Sequence, residues 1–181
     1  MRSVVLSLGL ALLCVLHAEA EDLETAGLDE SKLAGKWHIV ALASDSEGFL
    51  RQKDKLKMSM ATITVLEEGD LKVAFAIPTP EQCYKSEWIY KKTGVPGEYH
   101  SAEKSNTTAR VVDTDGKTYG VVFASKVKNG KTFRMLRLYS RTRGVSPKIA
   151  ALFRKLAREK NFTDEMIKFL PSQDECSLDQ V

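Results

Sequence analysis

Gly35-Lys36-Trp37-His38-Ile39-Val40-Ala41-Leu42-Ala43-Ser44-Asp45 is the first long run of strand formers after a polar N-terminal segment. Gly35 removes the Cβ where the chain must bend tightly or be approached closely. Trp37 then places a large ring at the start of the strand, and such a ring needs cover. A strand needs partners, and the sequence downstream supplies them.

After a loop at Glu47-Gly48-Phe49-Leu50-Arg51, whose Phe49 and Leu50 are expected to lie exposed over an opening, Leu56 to Leu66 reads as a second strand. Beyond the turn Glu67-Glu68-Gly69-Asp70, the residues Leu71, Val73, Phe75 and Ile77 alternate with Lys72, Ala74 and Ala76, so one face is buried. Pro78-Thr79-Pro80 ends that strand. From Cys83 to about Lys92, the residues Tyr84, Ser86, Trp88 and Tyr90 share a face. A turn at Gly94-Val95-Pro96-Gly97 leads to a short strand, Glu98 to Ser101. Thr107 to Thr114, Tyr119 to Val127 and Thr132 to Arg141 follow, the last two joined by Lys128-Asn129-Gly130-Lys131. Asn-Gly between alternating runs is a strong hairpin signal. Eight strands with short links predict an up-and-down antiparallel meander, which removes its edges by closing into a barrel.

The period then changes. Ser146 suits an N-cap and Pro147 the first helical position. Ile149, Ala150, Leu152, Phe153, Leu156 and Ala157 recur at helical spacing, so Pro147 to about Lys160 is an amphipathic helix whose stripe packs on the barrel. Met166 to Leu170 is a short extended or turn segment. At the other end, Met1 to Ala20 combines Arg2, an apolar run and the small-x-small pattern Ala18-Glu19-Ala20, as a secretory signal peptide does. The run is short of the about 20 residues that a spanning helix needs, and none follows. The mature chain is expected to be one secreted, soluble domain over residues 21–181, with a polar arm and one helical turn before Gly35.

Formal net charge is +3, with acids and bases mixed, and no basic block carries interleaved aromatics. Nucleic acid is therefore a poor partner. The sequence has three cysteines, and Cys14 leaves with the signal peptide. Cys83 and Cys176 are an even number in an oxidising compartment, which favours pairing over free or metal-binding thiols.

The chain resembles the lipocalin family, and three stretches carry the resemblance. Gly35 and Trp37 match the first. Thr114-Asp115, between two strands, matches the second, although Gly116 stands where an aromatic is usual. Leu138-Tyr139-Ser140-Arg141-Thr142 matches the third. The resemblance implies a mostly β fold, an eight-stranded barrel with one C-terminal helix outside. It also implies that Arg141 lies over Trp37 at the barrel's base and that a Cys83–Cys176 bridge ties down the tail.

An eight-stranded barrel holds one small ligand. Parity along the strands predicts inward faces at Leu71, Val73, Phe75; Ser86, Trp88, Tyr90; Thr107, Ala109, Val111; Val122, Ala124, Lys126; and Phe133, Met135, Arg137, Tyr139. Lys126 and Arg137 are charges among oily neighbours, an anion site in an apolar cup. The expected ligand is a long-chain fatty acid or lysophospholipid. In siderophore-binding lipocalins a cationic triad holds the ferric catecholate. By resemblance Lys126 and Arg137 match two of its positions, while the third falls on Thr107, so a siderocalin is the alternative with an incomplete triad. No cofactor or directly bound metal is expected, and the barrel is expected to be a monomer. The sequons Asn106-Thr107-Thr108 and Asn161-Phe162-Thr163 are glycan candidates.

Catalysis fits poorly. The family includes prostaglandin D synthase, whose nucleophile is a cavity cysteine, and no cysteine occurs between Leu56 and Leu66. His38 and His100 lack an evident Ser or Cys partner. A third class, a scaffold that binds a protein, predicts a filled barrel.

Overall fold

The computed structural model of the chain describes residues 28–103 and 105–179. The expected leader, Met1 to Ala20, lies outside the described residues. Eight antiparallel strands form the barrel: β1 (Gly35–Ser44), β2 (Ser59–Val65), β3 (Leu71–Pro78), β4 (Cys83–Lys92), β5 (Glu98–Ser101), β6 (Asn106–Thr114), β7 (Tyr119–Lys128) and β8 (Lys131–Ser140). Each pairs with its sequence neighbour, and β1 pairs with both β2 and β8, which closes the sheet. The β7–β8 link is a two-residue turn. Asn129 and Gly130 both have positive φ, 52° and 75°, the conformation that matches the twist of a hairpin.

Two bulges reset side-chain parity. One falls between Ile39 and Ala41 on β1, the other between Val111 and Asp113 on β6. Each inserts a residue, so Trp37 and Ser44 both face the interior, as do Val111 and Thr114.

Helix α1 (Glu47–Gln52) replaces the expected open loop after β1. The Ser46 hydroxyl caps it, accepting from the Phe49 amide at 3.2 Å. Phe49 is only 8% exposed, so it is not the surface residue that the sequence suggested. β2 is also shorter than expected. Met58, just before it, donates its amide to the Pro171 carbonyl in the C-terminal tail instead of joining the ladder.

Helix α2 (Pro147–Glu159) is capped by Ser146, with Pro147 in its first turn. Phe153 and Ala157 on its inner face have no exposed surface. They join one core cluster with Val40, Ala41 and Ala43 of β1. Burying a side chain the size of Phe153 stabilises by about 1.5–3 kcal/mol. The expected extended segment near residue 167 is a ninth strand, β9 (Ile167–Phe169). It pairs with Ala41 to Ala43, where β1 has left β2, and so covers an open edge. Arg134 clamps these parts together. Its guanidinium donates to Asp45 at 3.0 and 2.7 Å and to the Lys160 carbonyl at 2.8 Å, and it lies over the Phe162 ring.

Cys83 and Cys176 form a disulfide across 93 residues. It fastens the tail to β4 at the end of the barrel opposite Trp37.

Candidate ligand-binding site

The barrel's base is built first by backbone. Arg141 follows β8, and its guanidinium lies 3.6 Å from the centre of the Trp37 ring. It donates to the carbonyls of Lys36, Lys32 and Ala34 at 2.7, 2.9 and 2.8 Å. Trp37 donates its indole N–H to the Leu33 carbonyl at 2.8 Å. The 3-10 turn Glu30–Leu33 is thereby drawn across the opening as a plug. Gly35 is required here. Its φ is +102°, and a Cβ would sit 3.2 Å from an Arg141 nitrogen. Thr114 and Asp115 organise the adjoining turn. Thr114 donates to the Tyr119 carbonyl at 2.6 Å. The Asp115 carboxylate accepts from the amides of Lys117, Thr118 and Tyr119 and from the Thr118 hydroxyl. Burial opposes the charged form of Asp115, but these donors prevail and hold its pKa at about 2.

Above the plug the interior divides into two chambers. The lower one has a cavity volume of about 70 Å³ and apolar walls that include Leu71, Val73, Ala109 and Val122. The upper one, about 540 Å³, is walled by Ser86, Trp88, Thr107, Lys126, Phe133 and Met135 among others. Phe75, Tyr90 and Arg137 line both and form the waist. Tyr139 lies in the lower chamber, opposite Gly120 on β7. The inward faces expected from parity therefore all line one chamber or the other.

Ladder register explains the grouping. Thr107, Lys126 and Phe133 are consecutive partners across β6, β7 and β8, one row on the upper wall. Val111, Val122 and Arg137 form a second row two steps deeper. Lys126 is half-buried near the mouth, and Thr107 is 7% exposed.

Arg137 has the most constrained setting. Its carbon centre is 5.7 Å from the ring centres of both Phe75 and Tyr139, and the Tyr90 phenol lies within hydrogen-bonding reach. Its Nε–H is buried without a partner. Burial works against its charge, but the phenols of Tyr139 and Tyr90 offset this and hold the guanidinium protonated. The same burial raises the pKa of Tyr139, with Arg137 opposing. The arrangement is a fixed cation over an oily pocket, with one donor unused. A carboxylate or phosphate oxygen satisfies such a donor, and charge assistance makes that bond worth about 1.5–3 kcal/mol.

Several wall residues were not anticipated from the sequence. Leu33 reaches the lower chamber from the plug, and Tyr99 from the short strand β5. Ser44 joins the upper chamber after the β1 bulge. Tyr99 carried a readable signal, since it alternates with His100. Leu33 carried none, because its position depends on the Arg141 clamp. Asn106 and Asn161 are both exposed. No cluster of His, Cys, Asp or Glu among the described residues is arranged to hold a metal ion.

Comparison with known proteins agrees with this architecture. Residues 34–174 match the Lipocalin / cytosolic fatty-acid binding protein family. The chain is 54% identical over 181 residues to the extracellular fatty acid-binding protein of Gallus gallus, covering 100% of both. It is 32% identical over 152 residues to the prostaglandin-H2 D-isomerase of Bos taurus, covering 82% of this chain and 80% of that one. A solved structure described as "The Siderocalin Ex-FABP functions through dual ligand specificities" superposes with a TM-score of 0.77 at 53% identity, covering 83% of this chain and 97% of that one. Closed barrel, plugged base, external helix and full-length similarity agree, and the chain belongs to the lipocalin family.

Proposed function

We propose that this chain is a secreted carrier of a small amphipathic acid, a long-chain fatty acid or lysophospholipid, held in the barrel cavity with its head at Arg137 and Lys126. The observation that carries this reading is the unpartnered Arg137 Nε–H at the waist between an apolar pocket and a wider, open one. Each buried methylene contributes about 0.8 kcal/mol, so some fifteen contribute roughly 12 kcal/mol gross. Association takes back about 4–15 kcal/mol, so the charged head decides which tails bind usefully. The name of the Gallus gallus relative supports an extracellular lipid carrier. The chain is proposed to act as a carrier and not as an enzyme, although one relative is named an isomerase. Cys83 and Cys176 are joined to each other, which leaves no free thiol among the described residues for nucleophilic chemistry.

A second reading has its own support. The upper chamber sets Lys126 and Arg137 beside the stacked rings of Trp88 and Tyr90, and the solved relative is described as a siderocalin. A ferric catecholate is a bulky anion with aromatic faces, which suits such walls. Thr107 weakens this reading, because it places a hydroxyl in the Lys126 row where a third cation is expected. Titration with oleate, lysophosphatidate and ferric enterobactin, read by tryptophan emission, separates the two. Trp88 should respond to the lipids at lower concentration than to the iron complex. Thr107→Lys should tighten the iron complex by roughly tenfold, the worth of one added charge-assisted contact. Tighter binding of the iron complex by the unmodified chain would reverse the assignment. Silence toward all three would favour a protein-binding scaffold.

A further inference from the structure

The mouth of the barrel carries an exposed rim that extends beyond the ligand-binding walls. Among the described residues four large hydrophobic side chains are exposed: Tyr84, Val95, Val127 and Phe133. Three of them are at the mouth. Tyr84 and Phe133 edge the upper chamber, and Val127 points outward from the tip of the β7–β8 hairpin at 46% exposure. Interleaved with them are Lys126, Lys128 and Lys131, and Lys128 and Lys131 are themselves exposed. No ion pair engages these three lysines among the described residues. Of the carboxylates beside the mouth, Asp45 is already bonded to Arg134, and Glu47, between Ser46 and Gly48, lies 3.9 Å from Arg51.

Unpaired lysines alternating with exposed apolar groups match the interface of an anionic lipid bilayer. The ammonium groups sit among the head groups while short apolar side chains enter the boundary below them. Here the pattern edges the mouth of the wide chamber, where a lipid-like ligand would leave or enter. The type I′ turn at Asn129-Gly130 holds both strands of the tip in register, so the face is presented without an ordering step.

We propose that the mouth rim, centred on the β7–β8 hairpin, docks on anionic lipid bilayers so that the ligand passes between membrane and barrel without crossing bulk water. The idea rests on the carrier reading, but its test can fail separately. The mature full-length chain is sedimented without ligand on phosphatidylcholine vesicles with and without roughly one third phosphatidylserine, at low and high salt. Binding should be at least tenfold stronger on the anionic vesicles and should weaken with salt. The double variant Val127→Ser, Lys131→Glu should lose that tenfold, whereas Arg110→Glu, on the outer wall nearer the base, should not. Oleate transfer from anionic vesicles should accelerate with vesicle concentration, and the double variant should abolish that acceleration while its oleate affinity in vesicle-free solution stays the same.

Equal binding to neutral and anionic vesicles overturns docking. So does a double variant that binds as well as the parent, or a transfer rate indifferent to vesicle concentration. Absence of oleate binding in solution would instead remove the carrier reading, and the sedimentation result would still decide whether the rim meets the membrane.

Discussion

Two arginines four residues apart, Arg137 and Arg141, perform opposite tasks. Arg141 is fully employed, with three carbonyls and an indole ring around its guanidinium. Removing it leaves those carbonyls short of a donor and the plug unfastened. Arg141→Met should therefore destabilise the fold by about 2–4 kcal/mol, read as a lower urea midpoint. Arg137 is under-employed: it is buried among rings with one N–H unpaired. A buried charge without full compensation contributes little to stability, and an apolar replacement of similar volume is often neutral or better. Arg137→Met should leave the ligand-free midpoint unchanged or raised, yet weaken oleate binding by roughly 10–100-fold, the loss of one charge-assisted bond. A large fall in ligand-free stability would show that Arg137 is structural instead.

At the level of elements, the tail and one turn make the clearest predictions. The Cys83–Cys176 bridge closes a 93-residue span, worth about 4–5 kcal/mol in the chain-entropy model. Cys83→Ser with Cys176→Ser should cost about 2–5 kcal/mol in chemical unfolding. The Asp115 turn should act as an acid-sensitive joint. Its pKa is about 2 in the fold against an ordinary 3.8, so its contribution is complete above about pH 4 and fades as pH falls towards 2. Asp115→Ala should be less stable than the parent near neutral pH, by no more than about 1 kcal/mol because the group is exposed to solvent. The gap should close near pH 2. How legible each element was follows from its length. Strands β3, β4, β7 and β8 run long enough for alternation to set their faces, so Phe75, Trp88, Lys126 and Arg137 could be placed from parity alone. Helix α1 was missed because six residues with Gly48 among them carry no helical period. The function of β9 depends on an edge left open by β1, which is a property of the closed sheet. The division of the cavity at Arg137 was equally hidden, because it arises from Arg137 of β8 reaching Phe75 of β3 and Tyr90 of β4.

The closed barrel as a whole is a shell that binds ligand only when folded, so ligand and fold are linked by mass action. A ligand at a hundred times its dissociation constant adds about 2.7 kcal/mol to folding. For a chain of this size each kcal/mol raises the melting temperature by about 2–4 °C, so saturating oleate should raise it by about 5–10 °C. Methyl oleate presents the same tail to the barrel cavity with no charge for Arg137. If the head contributes a tenfold to hundredfold gain, the ester at equal concentration should give about half that shift or less. In Arg137→Met the gap between the two ligands should narrow sharply, since Lys126 alone remains to meet the head. That convergence separates the proposed arrangement from two others. A head group held at Lys126 alone would leave the gap between oleate and its ester undiminished in the variant. A barrel whose partner is a protein would show no shift with either ligand, in the parent or the variant.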